Sequence, residues 1–292
     1  MYAAIRDGVL LHAGYRSIAE GLADLGLAGV ELDVGRDLTV TAIDTPPGPA
    51  RLSLATDEGL AAIKSQCAAT GTRICGFLMA NNFGVDDLDG EIVWVVAAAS
   101  AANVLAVDAV RIDAIMRGER DLPLEKRQGI FFGAMARILE KTADWGTEFG
   151  IENHGYQGND PAFLKGIFAR AGDPRLGLTM DTGNFYWAGH PISRVYEILE
   201  ELAPHAKHTH VKNIQYPADL RDTQRELGWE YGKYVSPIPD GDIDHGKVVG
   251  FLKAAGYTGD FTIEDESLGK YAEGEERLSV IRRDAAYVKG VV

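Results

Sequence analysis

Cysteine is scarce. The 292 residues hold two, Cys67 and Cys75, with neither a CxxC pair nor a disulfide framework. That usage fits a reducing cytoplasm, and both thiols read as small buried apolar groups. Basic residues are few as well: 29 Lys and Arg stand against 43 Asp and Glu, a formal charge of −14. The chain therefore lacks the cationic surplus that binds phosphate backbones or anionic membranes, and neither nucleic acid nor membrane is expected as a partner. Long apolar runs are missing. The Ala-rich stretch from Val93 to Ala102 is too short to span a bilayer and reads as a buried helix. No basic leader followed by an apolar run opens the chain, so no signal peptide is expected. Neither an Arg/Lys cluster nor a Gly-rich phosphate loop stands out, which tilts the expected ligand toward an unphosphorylated one.

What is present is a regular alternation. Hydrophobic residues make up 46% and charged residues 25%, enough for a sizeable core. Short β-rich runs occur at Val9–Ala13, Gly29–Asp33, Arg73–Met79, Ala109–Asp113, Gly150–His154, Leu176–Asp181, Ala206–Lys212 and Asp260–Glu266. Helical patterns fill the gaps. In the longest, expected over Pro123–Phe149, the residues Phe131, Met135, Ile138, Trp145 and Phe149 form one apolar stripe. Asp57 and Asp160-Pro161 mark helix starts, while Gly71, Gly150 and Gly256 mark helix ends. Strands alternating with helices imply parallel βαβ units, and eight of them in this length predict a single α/β domain over residues 1–292, a (β/α)8 TIM barrel. Two connections are long: 34–56, with Pro46, Pro47 and Pro49, and 213–246. Both follow strands, so both are expected on the C-terminal face, where barrel enzymes keep their active sites.

Four strand ends carry polar residues that their apolar neighbours do not explain. They read GIENH with Glu152 and His154, LTMDTGN with Asp181, KHTHVKN with His208, His210 and Lys212, and FTIEDE with Glu264 and Glu266. Side chains alternate along a strand. With Phe261, Ile263 and Val211 facing the helices, this places Glu264, Glu266, His208, His210 and Lys212 inside, and the same parity holds for Glu152, His154 and Asp181. Three carboxylates at one mouth repel by several kcal/mol at an effective dielectric of about 20, so either their pKa values rise or a cation sits among them. Three oxygen donors and one nitrogen suit Mn²⁺, Mg²⁺ or Co²⁺, and Zn²⁺ also fits.

The sequence resembles the xylose isomerase-like TIM barrels, in particular the sugar phosphate isomerase/epimerase group with the ketose 3-epimerases and inosose dehydratases. The motifs that carry the resemblance are GVELD (29–33), IENH (151–154), MDTGN (180–184), HTHVKN (208–213), GDID (241–244) and GYTGDFTIE (256–264), spread over essentially the whole chain. The resemblance implies one divalent metal held by Glu152, Asp181, His210 and Glu264, with His210 rather than His208 as the ligand. Glu152 and Glu264 would move protons on opposite faces of a carbohydrate substrate, and Lys212 would hold the substrate or its oxyanion. A metal-stabilised enediolate beside a carbonyl leads to isomerisation or epimerisation, or to dehydration if a β-hydroxyl is expelled. The expected enzyme is thus a cytoplasmic sugar isomerase or epimerase, with a keto-sugar or inosose lyase as the alternative. A non-catalytic sugar-binding barrel and a nuclease stand further back. Relatives often pair, so a homo-oligomer is open. Asn184 falls where ketose 3-epimerases carry a substrate-contacting His. It is placed as a substrate contact, and the departure counts against a ketose 3-epimerase and against the AP endonucleases, whose three-zinc cluster needs further His ligands.

The remaining polar residues have plainer readings beside functional ones. His154 is a substrate contact or a wall residue, and His208 is placed with the substrate-binding residues, with a hydrogen-bonded lining role beside it. Arg111 binds substrate or pairs with Glu152, with pairing favoured, and Asp113 shares its parity. Lys212 equally suits a structural ion pair, and Glu266 a rim charge. Glu31 is inward and orients neighbours, while His12 is expected to line the pocket. Asp242 and Asp244 look like helix N-caps, and His245 is expected at the surface. Tyr231, Lys233 and Tyr234 reach over the pocket or form a subunit contact. Trp187 stacks on a sugar or packs beneath the long loop.

Overall fold

The computed structural model describes residues 1–44 and 50–292. Pro46, Pro47 and Pro49 lie outside the described residues. Eight parallel strands close into a barrel: β1 (Tyr2–Arg6), β2 (Gly29–Asp33), β3 (Arg73–Met79), β4 (Ala109–Ile112), β5 (Glu148–Glu152), β6 (Leu176–Asp181), β7 (Ala206–Val211) and β8 (Asp260–Ile263). Each pairs with its sequence neighbours, and β8 returns to β1 with Ala4 beside Thr262. Outward-facing Ile5, Val30, Phe77, Val110, Ile151, Met180, Val211 and Ile263 pack under the surrounding helices and are all essentially fully buried.

Two assignments from the sequence change. Val9–Ala13 is not a strand; it belongs to the helix Asp7–Ala13, and the first strand lies earlier. Its buried residues, Val9, Leu10 and Ala13, follow helical spacing. The Asp7 carboxylate accepts the Gly8 N–H at the start, and Gly14 closes the end at φ 109°. His12 therefore points to solvent and lines no pocket. The long helix also stops sooner, spanning Leu124–Lys141. The Thr142 hydroxyl bonds back to the Ile138 carbonyl at 2.9 Å, competing with the next turn. Phe131, Met135 and Ile138 keep the apolar stripe, whereas Phe149 and Gly150 lie inside β5 and Trp145 lies between the two elements.

The helix Leu88–Leu105 has a mean hydropathy of 1.4 and is long and apolar enough to cross a membrane. Here it covers the barrel between β3 and β4, burying Ile92, Val95, Ala98, Ala99 and Ala102. The connection 213–246 leaves the C-terminal end of β7. It is ordered by a short antiparallel pair, Asn213–Ile214 with Val235–Ser236, and by the helical turn Tyr231–Tyr234.

Candidate metal centre

Parallel register brings the polar strand ends level. Asp181 of β6 pairs with His210 of β7, and His210 with Thr262 of β8; Glu264 follows one inward position higher. Glu152 ends β5. Glu152, Asp181, His210 and Glu264 are all buried, and one donor atom from each lies within 4.8 Å of the others. The set expected from the sequence is thus brought together on the C-terminal side of the barrel.

Each donor is aimed by neighbours. Asp181 Oδ1 accepts the backbone N–H groups of Gly183 and Asn184 at 2.8 and 2.7 Å, which turns Oδ2 toward the cluster. Asn153 bridges β5 and β6, donating to the Asp181 carbonyl and accepting from its N–H. His210 presents Nδ1 to Glu152 Oε1 at 3.2 Å and Glu264 Oε2 at 3.4 Å, while its Nε2 meets both Glu31 oxygens at 3.0 and 2.9 Å. Arg111 holds Glu152 and also donates to the Met79 carbonyl at 2.8 Å, so the expected pairing is present. Asn184 Nδ2 lies 3.3 Å from Glu152 Oε1. Lys212 Nζ stands 3.1 Å from Asp181 Oδ2 and 3.2 Å from Glu264 Oε2, and it also bonds Glu266.

The electrostatics are unbalanced at Asp181. Burial raises its pKa well above the carboxylate range, and Glu264 and Glu152 push the same way against Lys212. Burial also acts against ionised Glu152 and Glu264, but Arg111 and His210 hold the first well below its ordinary value, and His210, Lys212 and Arg6 depress the second. His210 is held well above the imidazole range: burial opposes this, and Glu264, Glu31 and Glu152 outweigh it. Two carboxylates within 4.8 Å of each other repel by at least about 3 kcal/mol at an effective dielectric of about 20. Asp181 Oδ2 and Glu264 Oε2 are buried and accept no hydrogen bond; the Lys212 ammonium is an ionic neighbour of both, and His210 Nδ1 lies 3.4 Å from Glu264 Oε2. Orphaned anionic oxygens beside an imidazole nitrogen are the donor set of a divalent cation site.

Around this centre lie the other expected residues. His154 borders the mouth, with its Nδ1 3.1 Å from Asp113 Oδ1 and 3.3 Å from an Arg111 nitrogen. His208 is fully buried below His210, between Asp260 and Glu31. Tyr231 reaches from the long connection to Glu266 at 2.6 Å. Lys233 pairs with Glu230 at the surface, and Tyr234 stacks on Trp229 at 5.6 Å between ring centres. Trp187 packs beneath the long connection, where its carbonyl accepts the Gly228 N–H.

His245 is not at the surface: it is fully buried, with Nε2 3.2 Å from the Thr182 hydroxyl, and burial pushes its pKa down to about 4. Asp244 caps the helix His245–Ala254 as expected, but Asp242 instead accepts from Tyr186, Tyr216 and Arg221. Arg6 escaped the sequence reading because β1 was placed too late. At the end of β1 its guanidinium bonds Glu264 and approaches Glu31 at 3.4 Å.

The chain matches the model of the xylose isomerase-like TIM barrel family over residues 19–289, and it belongs to that family. One curated relative, an uncharacterised protein of Methanocaldococcus jannaschii, is 28% identical over 151 residues, which are 50% of this chain and 46% of the relative. The matched stretch thus spans about half the length of that relative. Among solved structures, the IolI protein with a bound zinc atom aligns at 14% identity and TM-score 0.71, covering 99% of this chain and 98% of its own. A xylose isomerase-like TIM barrel protein from Mycobacterium smegmatis in complex with magnesium aligns at 13% and 0.70, covering 100% and 96%. A D-tagatose 3-epimerase-like protein aligns at 16% and 0.66, covering 99% and 98%. At these identities the likeness concerns the fold.

Proposed function

We propose that the chain is a divalent-metal-dependent isomerase or epimerase of an unphosphorylated carbohydrate, acting by proton transfer beside a carbonyl. The observation that carries this reading is the buried convergence of Glu152, Asp181, His210 and Glu264, with two carboxylate oxygens left without hydrogen bonds. These four would hold the ion, with Mn²⁺, Mg²⁺, Co²⁺ or Zn²⁺ suited to the donor set. An ion held there would supply Lewis acidity beside the substrate carbonyl. Zinc and magnesium in two structural relatives support an ion of this class.

Glu152 and Glu264 enter from β5 and from the end of β8, strands separated by β6 and β7. Each has its own arginine, Arg111 and Arg6, which keeps it ionised and able to take a proton. One removes the proton next to the carbonyl, and the other returns a proton from the opposite face. Lys212 donates to the oxygen on which charge builds, and Asn184 orients Glu152 while contacting the substrate. The three cations Arg6, Arg111 and Lys212 are all paired with carboxylates, which favours a neutral polyhydroxy substrate over a phosphorylated one.

Dehydration is a second reading, favoured by His154. It is 37% exposed at the mouth, and its pKa is raised: burial works against this, while Asp113 and Glu152 outweigh burial. An imidazolium there can protonate a departing hydroxyl. The test is a ketose panel in D₂O with each metal added. Deuterium at the carbon next to the carbonyl, with unchanged composition, supports isomerisation or epimerisation. An absorbing enone product supports the lyase, and neither result in any member of the panel refutes both.

A further inference from the structure

We infer that Glu31 is the positioning residue of the metal centre, setting two of its four ligands at once from beneath. The inference rests on the metal reading above. Glu31 is fully buried in β2 and touches neither solvent nor the mouth. Its two oxygens meet His210 Nε2 at 3.0 and 2.9 Å, so Nδ1 is the nitrogen left facing Glu152 and Glu264. A carboxylate on the far nitrogen fixes ring orientation and strengthens the imidazole as a donor. Glu31 Oε2 also lies 3.4 Å from Arg6 Nε, whose guanidinium holds Glu264. One carboxylate therefore sets His210 directly and Glu264 through Arg6.

The barrel gives up regularity to seat this group. Between β2 and β3 the register slips: Val30 pairs with Ile74, Glu31 pairs with Gly76, and Cys75 is passed over. Between β6 and β7 it slips again, Leu178 pairing with Ala206 and Thr179 with His208, so that Lys207 is passed over. Bulges are rare in parallel pairs and re-aim side chains. These two lie at Glu31 and at His208, its neighbour. His208 Nε2 sits 3.0 Å from Glu31 Oε1, and Nδ1 sits 2.9 Å from Asp260, which pins Glu31 from the side opposite the mouth. Gly76 leaves the needed room. A Cβ there would stand 3.0 Å from His208 Cε1 and Nε2 and 3.4 Å from Glu31 Cγ.

The test measures Mn²⁺ affinity by competition with a chelating dye, on wild type, Glu31→Gln and Gly76→Ala, each checked for folding by near-ultraviolet circular dichroism. Glu31→Gln keeps the volume but turns an amide donor toward one of the two imidazoles. The expected result is a Kd weaker by about 10–100-fold for Glu31→Gln, and a smaller loss in the same direction for Gly76→Ala. Glu31→Asp should recover part of the loss. The visible spectrum of the Co²⁺ form should shift in Glu31→Gln, a readout that lowered stability alone does not move. A folded Glu31→Gln protein with wild-type affinity and spectrum overturns the inference and leaves the metal reading standing. If Glu31→Gln does not fold, wild-type affinity in Gly76→Ala overturns it. A wild-type chain that takes up no metal overturns the metal reading itself, and this inference with it.

Discussion

Lys212 and a divalent ion compete for the same oxygens, and this gives a signed prediction for Lys212→Met. The ammonium lies 3.1 and 3.2 Å from Asp181 Oδ2 and Glu264 Oε2, inside the barrel. Removing one partner of a buried pair costs about 3–5 kcal/mol, because the other charge is left uncompensated. That is the expected loss of unfolding free energy in chelator. With Mn²⁺ bound, the ion compensates Asp181 and Glu264, and the remaining loss is the contact with Glu266, whose side chain is 39% exposed. Such a contact contributes about 1 kcal/mol or less. The difference of at least about 2 kcal/mol must appear, by linkage, as tighter metal binding, about thirtyfold in Kd. Urea unfolding of both proteins, with chelator and with saturating Mn²⁺, measures each edge of the cycle, and direct Mn²⁺ titration closes it. Turnover should fall while metal affinity rises. Equal stability losses in the two conditions, or weaker Mn²⁺ binding by the variant, would refute the argument.

Other outcomes follow from the same charges. Asp181→Asn removes one of the cluster's two buried oxygens that accept no hydrogen bond and should abolish the metal-induced rise in Tm, read by thermal unfolding with and without Mn²⁺. Arg111→Met, which removes the buried guanidinium shared by Glu152 and Asp113, should lose about 3–5 kcal/mol in calorimetry at neutral pH. His208 has its folded pKa raised to about 9, burial being outweighed by Asp260 and Glu31. Its stabilisation is full below the ordinary imidazole pKa of about 6.5 and is lost as pH rises through about 9, a change of about 3 kcal/mol. Unfolding of His208→Gln across that range should lack this slope; an unchanged slope would mean His208 is not the group.

The alternation of strands and helices was readable because a parallel barrel writes it in apolar residues along the chain. Strand parity, fixed by Val211, Phe261 and Ile263, was enough to turn Glu152, Asp181, His210 and Glu264 inward. It failed at β1, where Tyr2–Arg6 is short and the next segment, Asp7–Ala13, is apolar enough to pass for a strand. That shift hid Arg6. His245 looked exposed because it starts a helix behind a capping aspartate, and no local pattern reports that Phe261 and Tyr287 enclose it. The hub at Glu31 was legible only as an inward glutamate. Its contacts depend on two slips of register and on the space left by Gly76, which are properties of neighbouring strands that periodicity within one strand does not carry.

Diffraction from a Mn²⁺-soaked crystal, recorded where manganese scatters anomalously, tests the central claim most directly. The account predicts one dominant anomalous peak in the barrel, ringed by carboxylate oxygens of Glu152, Asp181 and Glu264 and by Nδ1 of His210. No peak there, or a peak bound elsewhere while those four side chains keep only their present ionic partners, would contradict it.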